Sequence, residues 1–575
     1  MSDTITSILV SLYGRKQGVA ASRRLRSLMA DFPGHSAPDS SPDLDQTDVV
    51  LITYPDHVTA PDKPPLRTLG TFLRTHTRDL ITTVHLLPFY PSSSDDGFSV
   101  MDYRAVDPLL GSWADIRKLR TDFRLMFDLV LNHASAQGSW FKSFLRNDPK
   151  FRSFFKSVEG HPDMSRVVRP RALPLVTEFS ATERQVRVWT TFGPDQVDLD
   201  YGDPNVLLEI IEVLLGYVRQ GADLLRLDAV AYLWKEVGTT CIHRPQTYQI
   251  VRLIRAIADE LAPNMRLVTE TNVPHWENVS YFGNGRDMAH LVYNFALPPL
   301  VLHAFLSSSS VELSKWISGL EYPDGSATYL NFLASHDGIG LSPLRGLLTE
   351  TQVSELTERV RRGGGMLSER TGDNGFPVPY ELNVNYLDAL NVEHRSPPDI
   401  EVKRFLSAHA IMLALRGIPA IYFHSLFGSR GWPEGASRTG SKRSVNREKV
   451  RQDVLEAELR DPGTIRHEIF TGFAELLEAR ASSAAFHPAA GQEVLDAGSA
   501  VMALLRTSAD GRLRVLCVTN VTDAGQIVSA RTLRGIDWRT AESRDLIAGQ
   551  RIPRSGGGEV RLAPYQTAWF AADER

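Results

Sequence analysis

The sequence predicts an α/β protein built on a (β/α)8 TIM barrel, with a small domain inserted after strand 3 and an antiparallel β domain at the C-terminus. Three observations support this class: strand-like apolar runs alternate with helical patterns eight times, the alternation is interrupted after the third run and again by a long, Gly- and Arg-rich insertion from Gly338 to about Asn391, and short alternating runs replace it from about residue 490. Strands that alternate with helices are typical of a parallel sheet covered by helices, and eight such units close a barrel.

The eight predicted strands are short apolar runs without a helical period, several of which end in polar residues. In chain order they are VVLITYPDHV from Val49, ITTVHLLPFYP from Ile81, Phe123–His133, Ala222–Val230, RLVTETN from Arg266, HLVYNFALP from His290, TYLNFLASHD from Thr328 and GIPAIYFHSLFG from Gly417. We expect a helical N-terminal extension over residues 1–45, the barrel over 46–133 and 204–489, the inserted domain over 134–203 and the C-terminal β domain over 490–575.

Composition excludes several classes of protein. The formal net charge of the 575 residues is -5, which gives no reason to expect a nucleic acid or an anionic membrane as a partner. No apolar run reaches the roughly 18 residues of a membrane span, and the start MSDTITSILVSLYGRK lacks the pattern of a signal peptide. The two cysteines, Cys241 and Cys517, are expected to be free thiols, and the protein is expected in the cytoplasm.

The stretch ADLLRLDAV, from Ala222, places two charged residues in an otherwise apolar strand. Arg226 and Asp228 are two positions apart, so their side chains lie on the same side of the strand. The arginine can keep the carboxylate ionised and orient it, as a nucleophile requires. The alternative is a buried ion pair with a purely structural role.

In a barrel of this kind the loops after the strands form the active site. Three carboxylates follow different strands and should meet there: Asp228, Glu270 and Asp337. Crowded carboxylates raise at least one pKa, and one neutral plus one ionised carboxyl group is what glycoside cleavage needs.

Two histidines, His133 and His336, also end strands and could donate hydrogen bonds to sugar hydroxyls; alternatively, each is a hydrogen-bonded structural residue. Histidines and carboxylates can also bind zinc. The sequence lacks the His-x-His and HExxH spacings, and we therefore predict no metal site.

Four short motifs, DLVLNH (Asp128–His133), LLRLDAV (Leu224–Val230), VTETN and FLASHD (Phe332–Asp337), resemble those of the α-amylase clan and occur in the family order. The resemblance implies that Asp228 is the nucleophile, Glu270 the general acid and base, and Asp337 the stabiliser of an oxocarbenium-like transition state. It also implies that Arg226 orients the nucleophile and that His133 and His336 bind the sugar.

Within the clan the chain resembles the sucrose phosphorylase subfamily. The marks are SSDDGFSVMDYRAVDPLLGSW (Ser93–Trp113), HDGIG (His336–Gly340), the acceptor loop YELNVNYLDAL (Tyr380–Leu390) and SVNREKV. By this resemblance Asp95 binds glucose hydroxyls, Phe98 faces the sugar, and Arg447 binds phosphate.

Two positions depart from that subfamily: Asn272 replaces a histidine two residues after the acid, and Asn383 replaces a glutamine of the acceptor loop. Both are expected to face the acceptor or phosphate. Together with IHRPQT (Ile242–Thr247), they resemble the glucosylglycerate phosphorylase branch. Glycerate carries a carboxylate that arginines can clamp, and the candidates are Arg345, Arg361, Arg362 and Arg370.

The resemblance therefore implies a retaining α-glucoside phosphorylase acting on a small glucoside, 2-O-α-glucosylglycerate, with inorganic phosphate as co-substrate and no cofactor. The alternatives are a sucrose or sucrose 6'-phosphate phosphorylase, an α-glucosidase-type hydrolase, and a carbohydrate-binding protein without activity. Expected partners are the small glucoside and phosphate only, and the expected assembly is a monomer or homodimer.

Overall fold

A closed barrel of eight parallel strands forms the centre of the computed structural model, which describes residues 2–32, 44–182, 184–323, 327–372, 376–392, 396–529, 543–549 and 559–572. The strands are β1 Val50–Thr53, β2 Thr83–Leu86, β3 Arg124–Val130, β4 Leu224–Asp228, β5 Arg266–Thr269, β6 Leu291–Tyr293, β7 Thr328–Phe332 and β8 Ile418–Tyr422. Each strand pairs in parallel with its neighbours in chain order, and β8 closes on β1. The predicted fold class is confirmed, and each predicted run contains the corresponding strand.

The strands are buried almost along their whole length, because helices cover the outside and side chains fill the inside. Two of the covering helices begin at residues that favour a helix start. Pro204–Arg219 starts with a proline after Asp203, whose side chain accepts the backbone N–H of Asn205, and Pro245–Leu261 also has proline in its first turn. The α-helices are Ser2–Ala30, Pro65–His76, Trp113–Leu119, Ser139–Leu145, Pro204–Arg219, Pro245–Leu261, His275–Asn278, Leu297–Ser307, Val311–Ser318, Glu350–Arg362, Tyr386–Leu390, Pro398–Ala414, Phe423–Leu426, Pro433–Thr439, Gln452–Arg460 and Ile465–Ala481.

Two insertions interrupt the barrel, each after the carboxyl end of one of its strands. After β3 the chain forms two antiparallel strand pairs, His133–Ser135 with Gln196–Asp198 and Val176–Ser180 with Gln185–Trp189. After β7 it forms a three-stranded sheet in which the hairpin Met366–Thr371 and Pro377–Asn383 pairs with Ile339–Gly340. The first corresponds to the predicted inserted domain and the second to a long insertion; the domain boundaries stay predictions.

The C-terminal part is an antiparallel sheet, as predicted. Its strand order is Gly491–Val494, Val501–Thr507, Arg514–Asn520, Thr567–Ala572 and Ser543–Asp545, and a separate pair joins Gln526–Val528 to Val560–Leu562. Residues 530–542, 550–558 and 573–575 of the predicted C-terminal domain lie outside the described residues.

The N-terminal helix Ser2–Ala30 is broken at Gly14, where φ is 74° and ψ is 167°, so the predicted helical extension is two helical pieces. Glycine lacks the Cβ that penalises this conformation. The pieces bury Ile5, Leu9 and Leu25, while residues 33–43 of the extension lie outside the described residues. Within the described ranges, both cysteines are buried free thiols and none of the helices has the length and apolar character needed to cross a membrane.

Candidate active site

A row of hydrogen-bonded polar side chains crosses the barrel mouth from β2 to β4. His85 contacts Asp128 through Nε2 and Oδ2 at 2.8 Å, Asp128 accepts a hydrogen bond from Arg226, and Arg226 Nη1 donates to Asp228 Oδ1 at 2.7 Å. Asp128 and Arg226 are direct neighbours in the register of β3 and β4, which explains their contact. All four residues are buried. Burying an isolated charge would cost much free energy, and the hydrogen bonds and opposite charges along the row reduce that cost.

Glu270 follows β5 and lies beside this row. Its Oε2 accepts the backbone N–H of Ala229 at 2.8 Å and lies 3.9 Å from Arg226 Nη2. Ala229 has φ of 50°, a left-handed value that is unfavourable for alanine. The structure therefore brings Asp228 and Glu270 to the same arginine, and their catalytic roles stay predictions.

Asp337 follows β7 and is surrounded by positive charge. Its Oδ1 lies 2.6 Å from Arg443 Nη1, 3.4 Å from Arg447 Nη2 and 3.5 Å from His336 Nε2. Burial raises the pKa of Asp337, but Arg443, His336 and Arg447 together bring it well below the usual range. Asp337 is thus ionised in the folded protein at neutral pH.

The other two carboxylates behave differently. Burial raises the pKa of Asp228, and the charge of Glu270 raises it further against the opposing effect of Arg226. Burial likewise raises the pKa of Glu270, and Asp337 adds to the effect. The pair therefore holds a proton at higher pH than isolated carboxyl groups do. Because Arg226 donates directly to Asp228 and is 3.9 Å from Glu270, we assign the proton to Glu270 and the negative charge to Asp228.

The predicted sugar-binding residues cluster on the Asp337 side. The rings of Phe98 and His336 stack with centroids 4.9 Å apart and planes 8° apart. Burial lowers the pKa of His336 to about 3, so the imidazole is neutral, and its Nδ1 is buried without a hydrogen-bond partner among the described residues. Asp95, in a left-handed conformation with φ of 52°, accepts from Gln196 Nε2 at 3.2 Å.

His133 is also buried at this site, and both of its ring nitrogens contact protein atoms. Nε2 lies 3.1 Å from the carbonyl oxygen of Phe98, and Nδ1 lies 3.3 Å from Nδ2 of Asn132. A sugar hydroxyl would therefore have to share the Nε2 proton with Phe98. The sugar-binding role of His133 stays a prediction.

Arg447 is buried among carboxylates. Its guanidinium donates to Asp96 at 2.6 Å, contacts Asp95 and Asp337 at 3.4 Å each, and bonds the carbonyl oxygen of His336 at 2.9 Å. These contacts place Arg447 beside the predicted sugar-binding residues Asp95 and His336, and its predicted role in phosphate binding stays a prediction.

Arg443 and Glu381 were not singled out by the sequence analysis. Arg443 joins Asp337 to Glu381, which is fully buried on the hairpin and bonds the arginine at 3.0 and 2.6 Å. Arg443 lies four residues before Arg447 in the segment KRSVNR, and Glu381 lies in the quoted acceptor loop. Asp128 opens the motif DLVLNH, in which its position alone indicates no role. These positions inside or next to recognised motifs were the only hints in the sequence that the three residues belong to the site. The ion pairs that they form, Arg443 with Glu381 and Asp128 with Arg226, join distant parts of the chain.

The glycines of HDGIG permit the acceptor loop to approach. A Cβ on Gly338 would lie 2.6 Å from Glu381 Cγ, and a Cβ on Gly340 would lie 2.5 Å from Asn272 Oδ1. Asn272 Nδ2 contacts Tyr380 OH at 3.4 Å, and Asn383 Nδ2 donates to Ser368 at 2.8 Å. The side-chain oxygens of Asn272 and Asn383 are buried without a partner in the described part of the chain, which fits acceptors awaiting a donor.

A cleft of about 1160 Å³ is lined in part by Asn272 and Tyr380. Of the four predicted arginine candidates, Arg345, Arg361 and Arg370 line it and Arg362 does not. Arg361 and Arg362 both pair with Glu358 at 2.8 and 2.9 Å and are largely exposed. The inserted segment adds Arg169 to the lining, and Arg171 lies 5.9 Å from the ring centroid of Tyr380.

Comparison with known proteins agrees with this geometry. The family model for the α-amylase catalytic domain matches residues 78–332, and the model for the C-terminal immunoglobulin-like domain of D-apionate lactonase matches residues 498–570. The match and the closed parallel barrel together place the chain in the class of (β/α)8-barrel enzymes with an α-amylase catalytic domain. The chain belongs to the α-amylase family.

Several of its relatives within this family are phosphorylases. It is 49% identical to the glucosylglycerate phosphorylase of Spirochaeta thermophila over 91% of this chain and 90% of the relative. Identity to the glucosylglycerate phosphorylase of Allomeiothermus silvanus is 44% over 99% and 98% of the two chains. The crystal structure of sucrose 6F-phosphate phosphorylase from Thermoanaerobacter thermosaccharolyticum matches with a TM-score of 0.73 at 25% identity, covering 92% of this chain and all of that one.

Proposed function

We propose that this chain catalyses the reversible phosphorolysis of 2-O-α-glucosylglycerate to α-glucose 1-phosphate and glycerate, through a covalent glucosyl–enzyme. The observation that carries the proposal is the placement of Asp228 and Glu270 around Arg226, with the ionised Asp337 close by. The 44% and 49% identity to two glucosylglycerate phosphorylases, over nearly their whole length, supports this choice of substrate.

In the first step the ionised Asp228 attacks the anomeric carbon, and the bond from that carbon to the glycerate oxygen breaks. Glu270 gives its proton to the departing oxygen, so that glycerate leaves as an alcohol. Arg226 favours this division of roles because its hydrogen bond stabilises the charge on Asp228 and leaves Glu270 as the acid. Arg443 keeps Asp337 ionised, and the negative charge of Asp337 stabilises the positive charge that develops on the sugar ring.

In the second step phosphate attacks the anomeric carbon from the side that glycerate has left. Glu270, now a carboxylate, takes the proton from phosphate, and Asp228 is released. Two inversions at one carbon give net retention, so the product is α-glucose 1-phosphate. Phosphate is the co-substrate, and no cofactor enters either step.

The charge of the acceptor side supports an anionic acceptor. Glycerate and phosphate both carry negative charge and must occupy the same place in turn. Arg169, Arg345 and Arg370 line the cleft next to Asn272, and Arg171 lies over Tyr380. Arginine suits both ligands because its planar group can donate two hydrogen bonds to a carboxylate or a phosphate.

A second candidate is a sucrose 6'-phosphate phosphorylase, favoured by the similarity in structure to sucrose 6F-phosphate phosphorylase. Its acceptor is also anionic, so the arginines alone do not separate the two. A sucrose phosphorylase and an α-glucosidase-type hydrolase are the remaining alternatives. We expect the enzyme to act in the cytoplasm as a monomer or homodimer, with small molecules as its only partners.

The test is an acceptor panel. Purified enzyme is incubated with α-glucose 1-phosphate and, in separate reactions, glycerate, fructose, fructose 6-phosphate or glycerol, and phosphate release is measured. We expect the highest kcat/KM with glycerate. In the forward direction, glucosylglycerate with phosphate should give glucose 1-phosphate of α configuration by NMR. Preference for a fructose acceptor would overturn the assignment of glucosylglycerate as the substrate. Release of mainly free glucose would indicate a hydrolase. A product of β configuration would exclude the covalent route.

A further inference from the structure

A buried ammonium group lies behind the sugar subsite. The Nζ atom of Lys235 lies 2.6 Å from Asn132 Oδ1 and 2.7 Å from Asp198 Oδ2. The Lys235 side chain is 1% exposed and that of Asp198 is fully buried. Asp198 also accepts from the backbone N–H of Thr191 at 2.9 Å and from its hydroxyl at 2.6 Å. The group joins the end of β3, the segment after β4 and the inserted segment, and the mechanism above gives it no part.

The hydrogen-bonding chemistry of this group fixes the orientation of Asn132. A lysine ammonium can only donate, so the atom of Asn132 that faces it is the amide oxygen. The amide NH2 then points the other way, 3.2 Å from Asp198 Oδ2 and 3.3 Å from Nδ1 of His133. Turning the amide over would place its NH2 against the ammonium and its oxygen against Asp198, which is unfavourable on both sides.

The same reasoning continues to His133. Because the amide NH2 donates to Nδ1, that nitrogen carries a lone pair, and the proton of the neutral ring is on Nε2. The contact on the far side of the ring agrees independently: Nε2 lies 3.1 Å from the carbonyl oxygen of Phe98, which can only accept. Burial lowers the pKa of His133, and the positive charge of Lys235 lowers it further. The negative charges of Asp198 and Asp95 raise this pKa but do not offset the lowering.

We propose that Lys235 is a positioning residue that acts through Asn132 to hold His133 in the neutral tautomer with its proton on Nε2, directed at the sugar subsite. This inference rests on the proposed function only in taking the bound sugar to be the glucosyl group of the donor. The Nε2 proton then serves as a hydrogen-bond donor shared between Phe98 and a sugar hydroxyl. The ring adds no positive charge beside the ionised Asp337.

The experiment uses the full-length enzyme labelled with 15N-histidine and long-range 15N–1H NMR of the imidazole rings. The His133 signals are identified by their loss in a His133→Asn variant. In the wild-type enzyme we expect a protonated, pyrrole-like Nε2 and an unprotonated, pyridine-like Nδ1. A protonated Nδ1 in the wild-type enzyme at neutral pH would overturn the proposal, whether or not any variant folds.

Asn132→Asp is the decisive variant because it has the same shape and keeps an oxygen for Lys235. The new carboxylate cannot donate to Nδ1, so we expect Nδ1 to become protonated and kcat/KM for the glucoside to fall about 10- to 100-fold. The KM for glycerate in the reverse reaction should be unchanged, because the acceptor side is not touched. Thr191→Val is the matched control: it removes one donor from Asp198, leaves the contact of Lys235 with Asn132, and should keep the wild-type tautomer.

The outcomes separate this proposal from the proposed function. Phosphorolysis of glucosylglycerate with an unprotonated Nδ1 in Asn132→Asp would overturn the role of Lys235 and leave the function standing. The expected NMR signatures in an enzyme that prefers another acceptor would support the role of Lys235 and overturn the substrate.

Discussion

Arg226 decides how two neighbouring carboxylates divide a proton. Its Nη1 donates to Asp228 at 2.7 Å, while its Nη2 lies 3.9 Å from Glu270. A charge-assisted hydrogen bond stabilises an ionised partner more than a charge at longer distance does. The two carboxyl groups, which are acids of similar strength in water, are thus expected to take different roles in the folded protein.

The role of Asp228 leads to a prediction for Asp228→Ala. Removing the nucleophile should lower kcat for phosphorolysis by about 10⁴-fold or more, since no other group can form the covalent intermediate. The measurement is release of glucose 1-phosphate, with circular dichroism as a check of folding. The exposed Asp453→Ala variant is the control and should keep normal activity. Near-normal turnover by Asp228→Ala would show that the nucleophile is another residue.

The raised pKa of Glu270 predicts an alkaline limit to the reaction. In the proposed mechanism the acid form of Glu270 protonates glycerate, so kcat/KM should fall as pH rises through this raised pKa. The limit should disappear with α-glucosyl fluoride, whose fluoride leaves without a proton. The measurement is the pH profile of kcat/KM for both donors. The same alkaline limit with both donors would contradict the assignment of Glu270 as the acid.

At the scale of elements, the hairpin Met366–Thr371 and Pro377–Asn383 shapes the acceptor side. It carries Glu381 to Arg443 and Tyr380 to Asn272, and the strand Ile339–Gly340 holds it in place. Gly340 has no side chain to fill the space that Asn272 occupies. The glycine therefore matters for the geometry of this side of the site.

Gly340→Ala tests that geometry. The new Cβ would lie 2.5 Å from Asn272 Oδ1, and the flexible side chain of Asn272 would have to move. We expect KM for glycerate and for phosphate to rise about 10-fold with little loss of stability, since the clash is with a side-chain end. Gly216→Ala, on the helix Pro204–Arg219 with nothing within 4 Å of its Cβ, is the control and should stabilise the fold slightly. Unchanged acceptor constants in Gly340→Ala would remove Asn272 from the acceptor site.

The elements that the sequence could predict are those with a strong local pattern. Each barrel strand is an apolar run, and Asp228, Glu270 and Asp337 follow such runs directly, so the barrel topology places them together. The hairpin was predicted only as part of the long insertion and the acceptor loop, because its strands contain Glu369, Arg370 and two prolines and lack an apolar period. The bond of Arg443 to Glu381 joins residues 62 positions apart. No local pattern encodes such a pairing; it follows from how the hairpin folds back.

At the scale of the whole molecule, buried arginines connect the C-terminal sheet to the barrel. Arg506 is fully buried and donates to the carbonyl oxygens of Ala414 at 2.8 Å, His487 at 2.9 Å and Gly491 at 3.1 Å. Ala414 ends a helix that covers the barrel, whereas Gly491 begins the sheet. One side chain therefore satisfies carbonyl groups on both sides of this junction.

Arg506→Met should separate stability from catalysis. The variant leaves three buried carbonyl oxygens without their donor, which should lower the free energy of unfolding by about 3 kcal/mol. The barrel mouth is not altered, so kcat and KM of the folded enzyme should stay the same. Thermal unfolding and steady-state kinetics measure the two effects, with the exposed Arg512→Met as control. A loss of kcat at full stability would contradict this division.

The most direct test of the central claim is to trap the glucosyl–enzyme and find the residue that carries the sugar. The enzyme is treated with a fluorinated α-glucosyl fluoride that forms the intermediate quickly and releases it slowly, and its peptides are sequenced by mass spectrometry. A single sugar on the carboxylate of Asp228, absent in Asp228→Ala and removed on adding phosphate, is the predicted result. A sugar attached to Glu270 or Asp337 instead, or phosphorolysis that proceeds with no covalent adduct, would contradict it.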